Sequence, residues 1–259
     1  MGVVYDCGAG LVDAFWARKD CLFDAYILSS GPSLKNENLD LLKAAPVFTV
    51  GINTTYPKFK PDMWVGLDYP KCFNENLWFE SFPKVSRNVY YDLPIKEGCD
   101  LLVKDCPNVF FATSDVKHTK DAPIELFLRR AHRSKFVWRN NTLVTTLHLL
   151  VWMGYKTIHL LGSDFGGDDY FDDSESARPF NHDKDSPSGK ISRKQRKKNE
   201  ALWEQQQEFI KKFSAQGSAS IDLKVISCTK NSPINKFIDY LPLERALENS
   251  KIKVKEKLK

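Results

Sequence analysis

Long apolar runs are missing from this chain. No stretch approaches the roughly 18 residues that a membrane-spanning helix needs. Cysteine is sparse and scattered. Cys7, Cys21, Cys72, Cys99, Cys106 and Cys228 form no C-x-x-C pair and no regular grid. That spacing argues against a disulfide framework and against a structural zinc site, and a reducing compartment fits best. The opening MGVVYDCGAG has no basic stretch leading into an apolar one, so no secretory leader is expected. Asp6 breaks the N-myristoylation pattern. A cytoplasmic location is the expectation. An excess of one charge is almost absent as well. The formal charge is +5, and residues 251–259, KIKVKEKLK, supply 5 − 1 = +4 of it. So local a surplus gives no basis for a specific nucleic-acid partner. The tail is read as a frayed, solvated terminus, capable of at most a weak contact with phosphate or an anionic membrane surface.

What is present points to a folded enzyme-sized unit. With 259 residues, 42% of them hydrophobic, the chain can bury a large core. No low-complexity linker or internal repeat divides it. The expected plan is an N-terminal extension over 1–23, one domain over 24–250 and the basic tail. Short runs rich in β-branched and aromatic residues, bounded by breakers, predict strands at 24–30, 46–51, 61–67, 86–91, 108–112, 156–161 and 223–227. Helical segments alternate with them, at 141–153, 191–213 and 241–250 among others. That alternation predicts an α/β fold with a mostly parallel sheet covered by helices.

The clearest unit is 141–162. Asn141 can cap a helix, and Leu143, Val144, Leu147, Leu150 and Val151 recur at helical spacing. Gly154 suits the residue just past its end. The strand at 156–161 then delivers Gly162-Ser163-Asp164 to the carboxyl edge of the sheet, where open α/β sheets bind ligands. A polar lid, 163–213, comes next. Its first part is rich in Asp, Ser and Gly, and its helix offers Leu202, Phe209 and Phe213, with Trp203 and Ile210, for packing.

Several residues carry chemistry. Ser30, Gly31, Pro32 and Ser33 form a turn after the first strand. Glycine permits close backbone approach, proline fixes the path, and the hydroxyls and N–H groups suit phosphate oxygens. The order matches neither G-x-x-x-x-G-K-S/T nor G-x-G-x-x-G, and an ordinary strand-to-helix turn is the alternative. Asn53 comes after the second strand. Its amide both donates and accepts, which suits a base or ribose edge or a plain turn. Asp68 and Asp164 end strands, and read as neighbours they would hold Mg²⁺ with substrate phosphates or bind sugar hydroxyls. As plain structure each caps the next helix or loop. His182 lies in the polar lid and is the natural proton carrier near neutral pH; a surface histidine is the alternative. His118 and His132 are weaker candidates, while His148 and His159 read as structural. Tyr170 and Phe171 can stack on a ring or anchor the loop. Arg129, Arg130, Arg133 and Arg139, with Lys135, can neutralise a diphosphate or form a solvated face.

The segments Ile27-Leu28-Ser29-Ser30-Gly31-Pro32-Ser33-Leu34, Val50-Gly51-Ile52-Asn53 and Pro61-Asp62 with Asp68 resemble one superfamily. Gly154 to Phe165 and Val225-Ile226-Ser227 with Ser232-Pro233-Ile234 add to the pattern. It is that of motility accessory factors and 6-hydroxymethylpterin pyrophosphokinase-like proteins, similar in turn to bacterial sialyltransferases that use CMP-sialic acid. The resemblance implies a Rossmann-like domain and a nucleotide or nucleotide-sugar donor. Ser30, Gly31, Ser33 and Asn53 would hold that donor, with Pro32, Asp68 and Asn141 beside it. It implies His182 as general base on an acceptor hydroxyl and Tyr170 near the departing phosphate; Asp164 joins the catalytic candidates, and in a pyrophosphokinase Asp68 and Asp164 would matter more than His182. Ser30 stands where the sialyltransferases carry asparagine. Sugar transfer of this kind needs no metal cofactor. The alternatives are an ATP- and Mg-dependent pyrophosphokinase acting on a pterin-like alcohol, and a non-catalytic binding module. The acceptor is left open, and exposed edges and helices allow a homo-oligomer.

Overall fold

In a computed structural model the described residues are 23–112, 123–128, 141–165 and 193–258. Among them, seven short segments become strands because apolar side chains cover both of their faces. They are β1 (Ala25–Leu28), β2 (Phe48–Ile52), β3 (Met63–Val65), β4 (Lys84–Arg87), β5 (Val109–Ala112), β6 (Thr157–Leu161) and β7 (Lys224–Ser227). All pair in parallel, in the order β5-β4-β3-β2-β1-β6-β7. The chain builds outward from β1 through β5 on one side, then returns to place β6 against β1 on the other. That reversal makes the gap beyond β1 and β6 the topological switch point of a Rossmann-like fold.

Among the described residues five α-helices accompany the sheet: α1 (Asp40–Lys43), α2 (Ile124–Phe127), α3 (Thr142–Trp152), α4 (Arg193–Ile221) and α5 (Leu243–Lys257). Alternate residues of β1 feed opposite faces, as the two-residue strand period requires. Ala25 and Ile27 join a core with Leu147 and Leu150 of α3 and Phe209, Ile210 and Phe213 of α4. Tyr26 and Leu28 pack with Leu243, Ala246 and Leu247 of α5. Each large apolar side chain buried this way stabilises the fold by about 1.5–3 kcal/mol. A third cluster, with Trp64, Phe73, Trp78 and Phe111, covers the β3–β5 side. Every residue of α3 is buried, so this helix is enclosed on all sides. Among the described residues no helix is long and apolar enough to cross a membrane.

Three expectations change. The strand expected at 86–91 starts earlier, at Lys84, and gives way to a 3-10 turn over Asn88–Tyr90. Lys84 is fully buried, and its Nζ donates to the carbonyls of Glu80 and Phe82. Lysine in a strand start therefore hides its charge by capping the loop before it, and burial lowers its pKa to about 8. The helix expected to stop at 213 continues to Ile221. Gly217 lets Leu223 and Leu128 pack against its backbone. Leu202 is exposed, but Phe209, Ile210 and Phe213 are buried, so this end of α4 is core rather than lid.

The C-terminal tail is the third change. It is helical to Lys257, not frayed, because α5 keeps an inward face of Leu243, Leu247, Ser250 and Val254. Lys253 Nζ donates to buried Asp24 and, at 2.8 Å, to Thr157 Oγ1. Ser250 Oγ donates to Asp24 Oδ2 at 2.8 Å and pairs with Tyr26 OH at 2.9 Å. Burial alone would raise the Asp24 pKa. The His159 ring 3.6 Å away, with the hydrogen bond and charge of Lys253 and the hydroxyl of Ser250, outweighs burial and holds it at about 2. One lysine of the supposed free tail is thus an internal counterion. Residues 1–22 of the expected extension lie outside the described residues.

Candidate functional site

The carboxyl ends of β1, β2 and β6 converge at the switch point. Ser29 N–H donates to Leu161 O at 2.8 Å, and Gly31 N–H donates to Gly162 O at 3.1 Å. These bonds carry the β1–β6 pairing past the strands and pull the two turns together. Buried hydroxyls reinforce the junction. Ser29 Oγ meets Ser163 Oγ at 3.1 Å, Ser163 N–H donates to Thr229 Oγ1 at 3.0 Å, and Ser232 Oγ donates to Ser163 O at 2.6 Å.

Pro32 opens a short 3-10 helix, Pro32–Asn36, with Gly31 as its cap residue. Asp164 reaches across from the end of β6. Its Oδ2 accepts from Ser33 Oγ at 2.8 Å and from Ser33 N–H at 3.3 Å. Gly31 lies so close that an added Cβ would sit 1.9 Å from Asp164 Oδ2 and 2.3 Å from Gly162 O. The donors expected for a phosphate at Ser33 are therefore engaged by a carboxylate, and an anion there would have to displace Asp164. The pair reads as a brace for the turn.

Ser30 points to the other neighbour. Its Oγ donates to Ile52 O at 3.1 Å and accepts Thr54 N–H at 3.2 Å, binding the turn to the end of β2 on either side of Asn53. Asn53 has a left-handed backbone, φ 51°, which asparagine tolerates better than most residues. Trp64 Nε1 donates to Asn53 O at 2.9 Å and fixes that peptide. The Asn53 side-chain Oδ1 and the Thr54 Oγ1 are buried, and neither has a hydrogen-bond partner among the described residues. Both residues line a narrow crevice with Tyr56, Cys72, Phe73, Asn74 and Leu77. Tyr56 OH donates to Glu80 Oε1 at 2.9 Å, and burial with that carboxylate raises its pKa to about 12. Burial, then the nearby charge of Asp68, raises the Cys72 thiol to about 11.

The structure thus brings Ser30 and Asn53 together, and Ser33 and Asp164 together. It does not place Asp68 beside Asp164. β3 and β6 are separated by β2 and β1, about three strand spacings or ~14 Å. That corrects the reading of adjacent strand ends and argues against one metal ion held by both carboxylates. Asn141 caps α3, its Oδ1 accepting Val144 N–H at 2.9 Å. His148 and His159 are buried, as expected of structural residues. His182, Tyr170, Phe171, His118, His132, the arginines at 129, 130, 133 and 139, and Lys135 lie outside the described residues.

The sequence reading missed Thr54, Cys72 and the Arg87–Tyr90 pair. Thr54 carried a signal, since it directly follows Asn53. Arg87 Nη1 donates to Tyr90 OH at 3.1 Å, and the guanidinium lies 5.2 Å from the ring centroid. Exposed Tyr69 packs on Tyr90 at 5.0 Å. The misplaced strand at 86–91 hid this group at the carboxyl end of β4.

No family model and no curated protein matches the chain. Among solved structures it is similar to a variant of the sialyltransferase CST-II in complex with CMP, with 18% identity, a TM-score of 0.49 and coverage of 86% of this chain and 88% of that one. It is similar to the sialyltransferase CstII from Campylobacter jejuni in complex with the substrate analogue CMP-3FNeuAc, with 20% identity, TM-score 0.46, and coverage of 86% and 88%. The monofunctional alpha-2,3-sialyltransferase Cst-I from Campylobacter jejuni gives 18% identity, TM-score 0.47, and coverage of 85% and 80%.

Proposed function

We propose that the chain is a transferase that takes a nucleotide-activated sugar at the switch point and passes the sugar to an acceptor hydroxyl. The observation that carries this reading is the unpaired polar pair of Asn53 Oδ1 and Thr54 Oγ1 in the crevice. A buried polar atom without a partner costs about 1–3 kcal/mol. A ligand offering N–H or O–H groups removes that cost, and a nucleoside or sugar offers several. The resemblance in the segments around Ser30 and Asn53 supports a nucleotide donor, while Ser30, in place of the sialyltransferase asparagine, counts against cytidine in particular.

In this reading Ser30 holds the β2 turn in place and Asn53 and Thr54 contact the donor. Ser33 and Asp164 brace the turn, and the phosphate sits clear of them. Asp68 follows β3, close enough to the crevice for its charge to act on Cys72. The acceptor oxygen forms its bond to the anomeric carbon as the carbon–oxygen bond to the phosphate breaks. His182 takes the acceptor proton, and the nucleotide leaves as its phosphate. Protein carrying His182→Gln is expected to bind CMP as before and to lose transfer by about 10²-fold or more, measured as sugar transferred from a CMP-sugar. Unchanged transfer removes His182 from the reaction.

The binding step is tested on Asn53→Gly, which keeps the left-handed backbone and deletes the amide. CMP affinity by calorimetry should fall about tenfold, the size of one lost hydrogen bond, with stability nearly unchanged. The same titrations with ATP and Mg²⁺ address the pyrophosphokinase reading. Tight ATP binding that requires Mg²⁺, with none for CMP, would replace the sugar-transfer proposal.

A further inference from the structure

The last two turns of α5 lie at the amino edge of the sheet, away from the switch point. There Lys253 Nζ reaches Asp24, just before β1, and Thr157, the first residue of β6. Val254 beside it is buried as well, so the rotation of the helix is fixed. Turned outward, the same two turns carry Lys251, Ile252, Lys255 and Leu258 into solvent. Ile252 is 54% exposed and Leu258 71%. Residues three and four apart are neighbours on a helix, so these four form one continuous strip. Lys224 is exposed at the start of β7, across from Thr157 in the sheet, and adds to the charge of this edge. Much of the nearby acid is already matched. Asp24 is buried beneath Lys253, and Asp222 pairs with Lys156 at 3.4 Å. Glu256 is exposed and offsets one lysine, yet residues 251–259 keep a net charge of 5 − 1 = +4.

We propose that this strip docks the protein on an anionic lipid surface, with Lys251 and Lys255 against the headgroups and Ile252 and Leu258 seated among the first acyl carbons. The occupant follows from the pairing of charge with apolar surface. Lysines alone would suit any polyanion. Two large apolar side chains exposed among them leave water only where an apolar layer lies just beneath the negative charge, which is the structure of a lipid surface. The helix is already formed and is held by Asp24, so docking orders little new chain. A free tail of the same composition would lose its conformational freedom on the surface, and the contact is stronger than the weak one expected of a frayed terminus. Because α5 ends at the amino edge, the carboxyl ends of β1, β2 and β6 face away from the lipid. The proposal does not depend on the donor reading of Asn53 and Thr54.

The test is co-sedimentation of the full chain with vesicles of phosphatidylcholine alone or with about 30% phosphatidylglycerol. Binding to the anionic vesicles is expected to be roughly tenfold stronger or more, and to fall about tenfold as salt rises from about 0.1 M to about 0.5 M. The double variant Lys251→Glu, Lys255→Glu should lose about tenfold or more of that binding, and Ile252→Ser, Leu258→Ser about fivefold. All four side chains are exposed, so both variants should melt with the parent by circular dichroism. A single-stranded oligonucleotide serves as a polyanion without an apolar layer. If it binds as tightly as the anionic vesicles and the Ile252 and Leu258 substitutions change neither, the surface is one for nucleic acid and the proposal fails. Equal binding to neutral and anionic vesicles, or binding to neither, also overturns it. So does a dimer, seen by analytical ultracentrifugation, that the Ile252 and Leu258 substitutions dissociate.

Discussion

Gly31→Ala is expected to lower the melting temperature by about 10 °C, equivalent to roughly 3 kcal/mol in a domain of this size. The cause is space rather than backbone angle, since Gly31 has an ordinary φ of −72°. An alanine methyl would meet Asp164 Oδ2 at 1.9 Å and Gly162 O at 2.3 Å. The carboxylate could swing aside, but only by giving up Ser33. The Gly162 carbonyl cannot move freely, because it accepts the Gly31 N–H at 3.1 Å. Any relaxation therefore separates the turns after β1 and β6. Loss of donor binding should accompany the loss of stability, because Ser30 is next in the chain and ties the turn to Asn53's neighbours. Thermal unfolding tracked by circular dichroism is the measurement. A variant melting within about 2 °C of the parent, a change of at most about 1 kcal/mol, would mean that the two turns are not in contact.

The second large effect is acid sensitivity. His148 is fully buried in α3, with Nδ1 2.8 Å from Phe127 O. Burial lowers its pKa from 6.5 to about 4, although the bond to Phe127 opposes the shift. The unfolded chain therefore binds a proton over that window while the folded protein does not. Stability should be full above pH 6.5 and decline as the pH falls toward 4, by up to about 3 kcal/mol from this residue. His159 acts in the same direction. Burial lowers its pKa as well, although Asp24 opposes the shift. Urea midpoints between pH 7 and pH 4.5 would reveal the slope, and His148→Gln should flatten it. Equal slopes in the parent and the variant would show that His148 is not the group responsible.

Much of the fold was legible because its signals are local. The short apolar runs at Ala25–Leu28 and Thr157–Leu161 could be nothing but buried strands, and Asn141 announced α3 through a cap that the structure contains. Lys84 defeated the same rules, because its charge is masked by carbonyls that no pattern of its own segment reveals. The tail misled for a related reason. Five lysines look solvated until Asp24, more than 200 positions away in sequence, supplies a buried partner. The candidate site divides in the same manner. Ser30 and Asn53 stood out by residue type and by their place after strands. Which hydroxyl spends its proton on Asp164, and which polar atoms stay unpaired, depends on the β1–β6 pairing. That pairing joins segments about 130 residues apart, and no single-segment pattern encodes such a distance. The non-adjacency of Asp68 and Asp164 depends on strand order, which is equally nonlocal.

The position of β1 also governs how the protein comes into being. It lies between β2, which is close behind it in sequence, and β6, which is made much later. During synthesis one flank of β1 is sealed early, while the other waits, with its N–H and C=O groups unmatched, for residues 157–161 to emerge. Pairings of such high sequence separation form late and slowly. Until then the first half of the nascent chain offers an open strand to any similar segment nearby, and the cell must hold that edge apart or risk losing the molecule to aggregation.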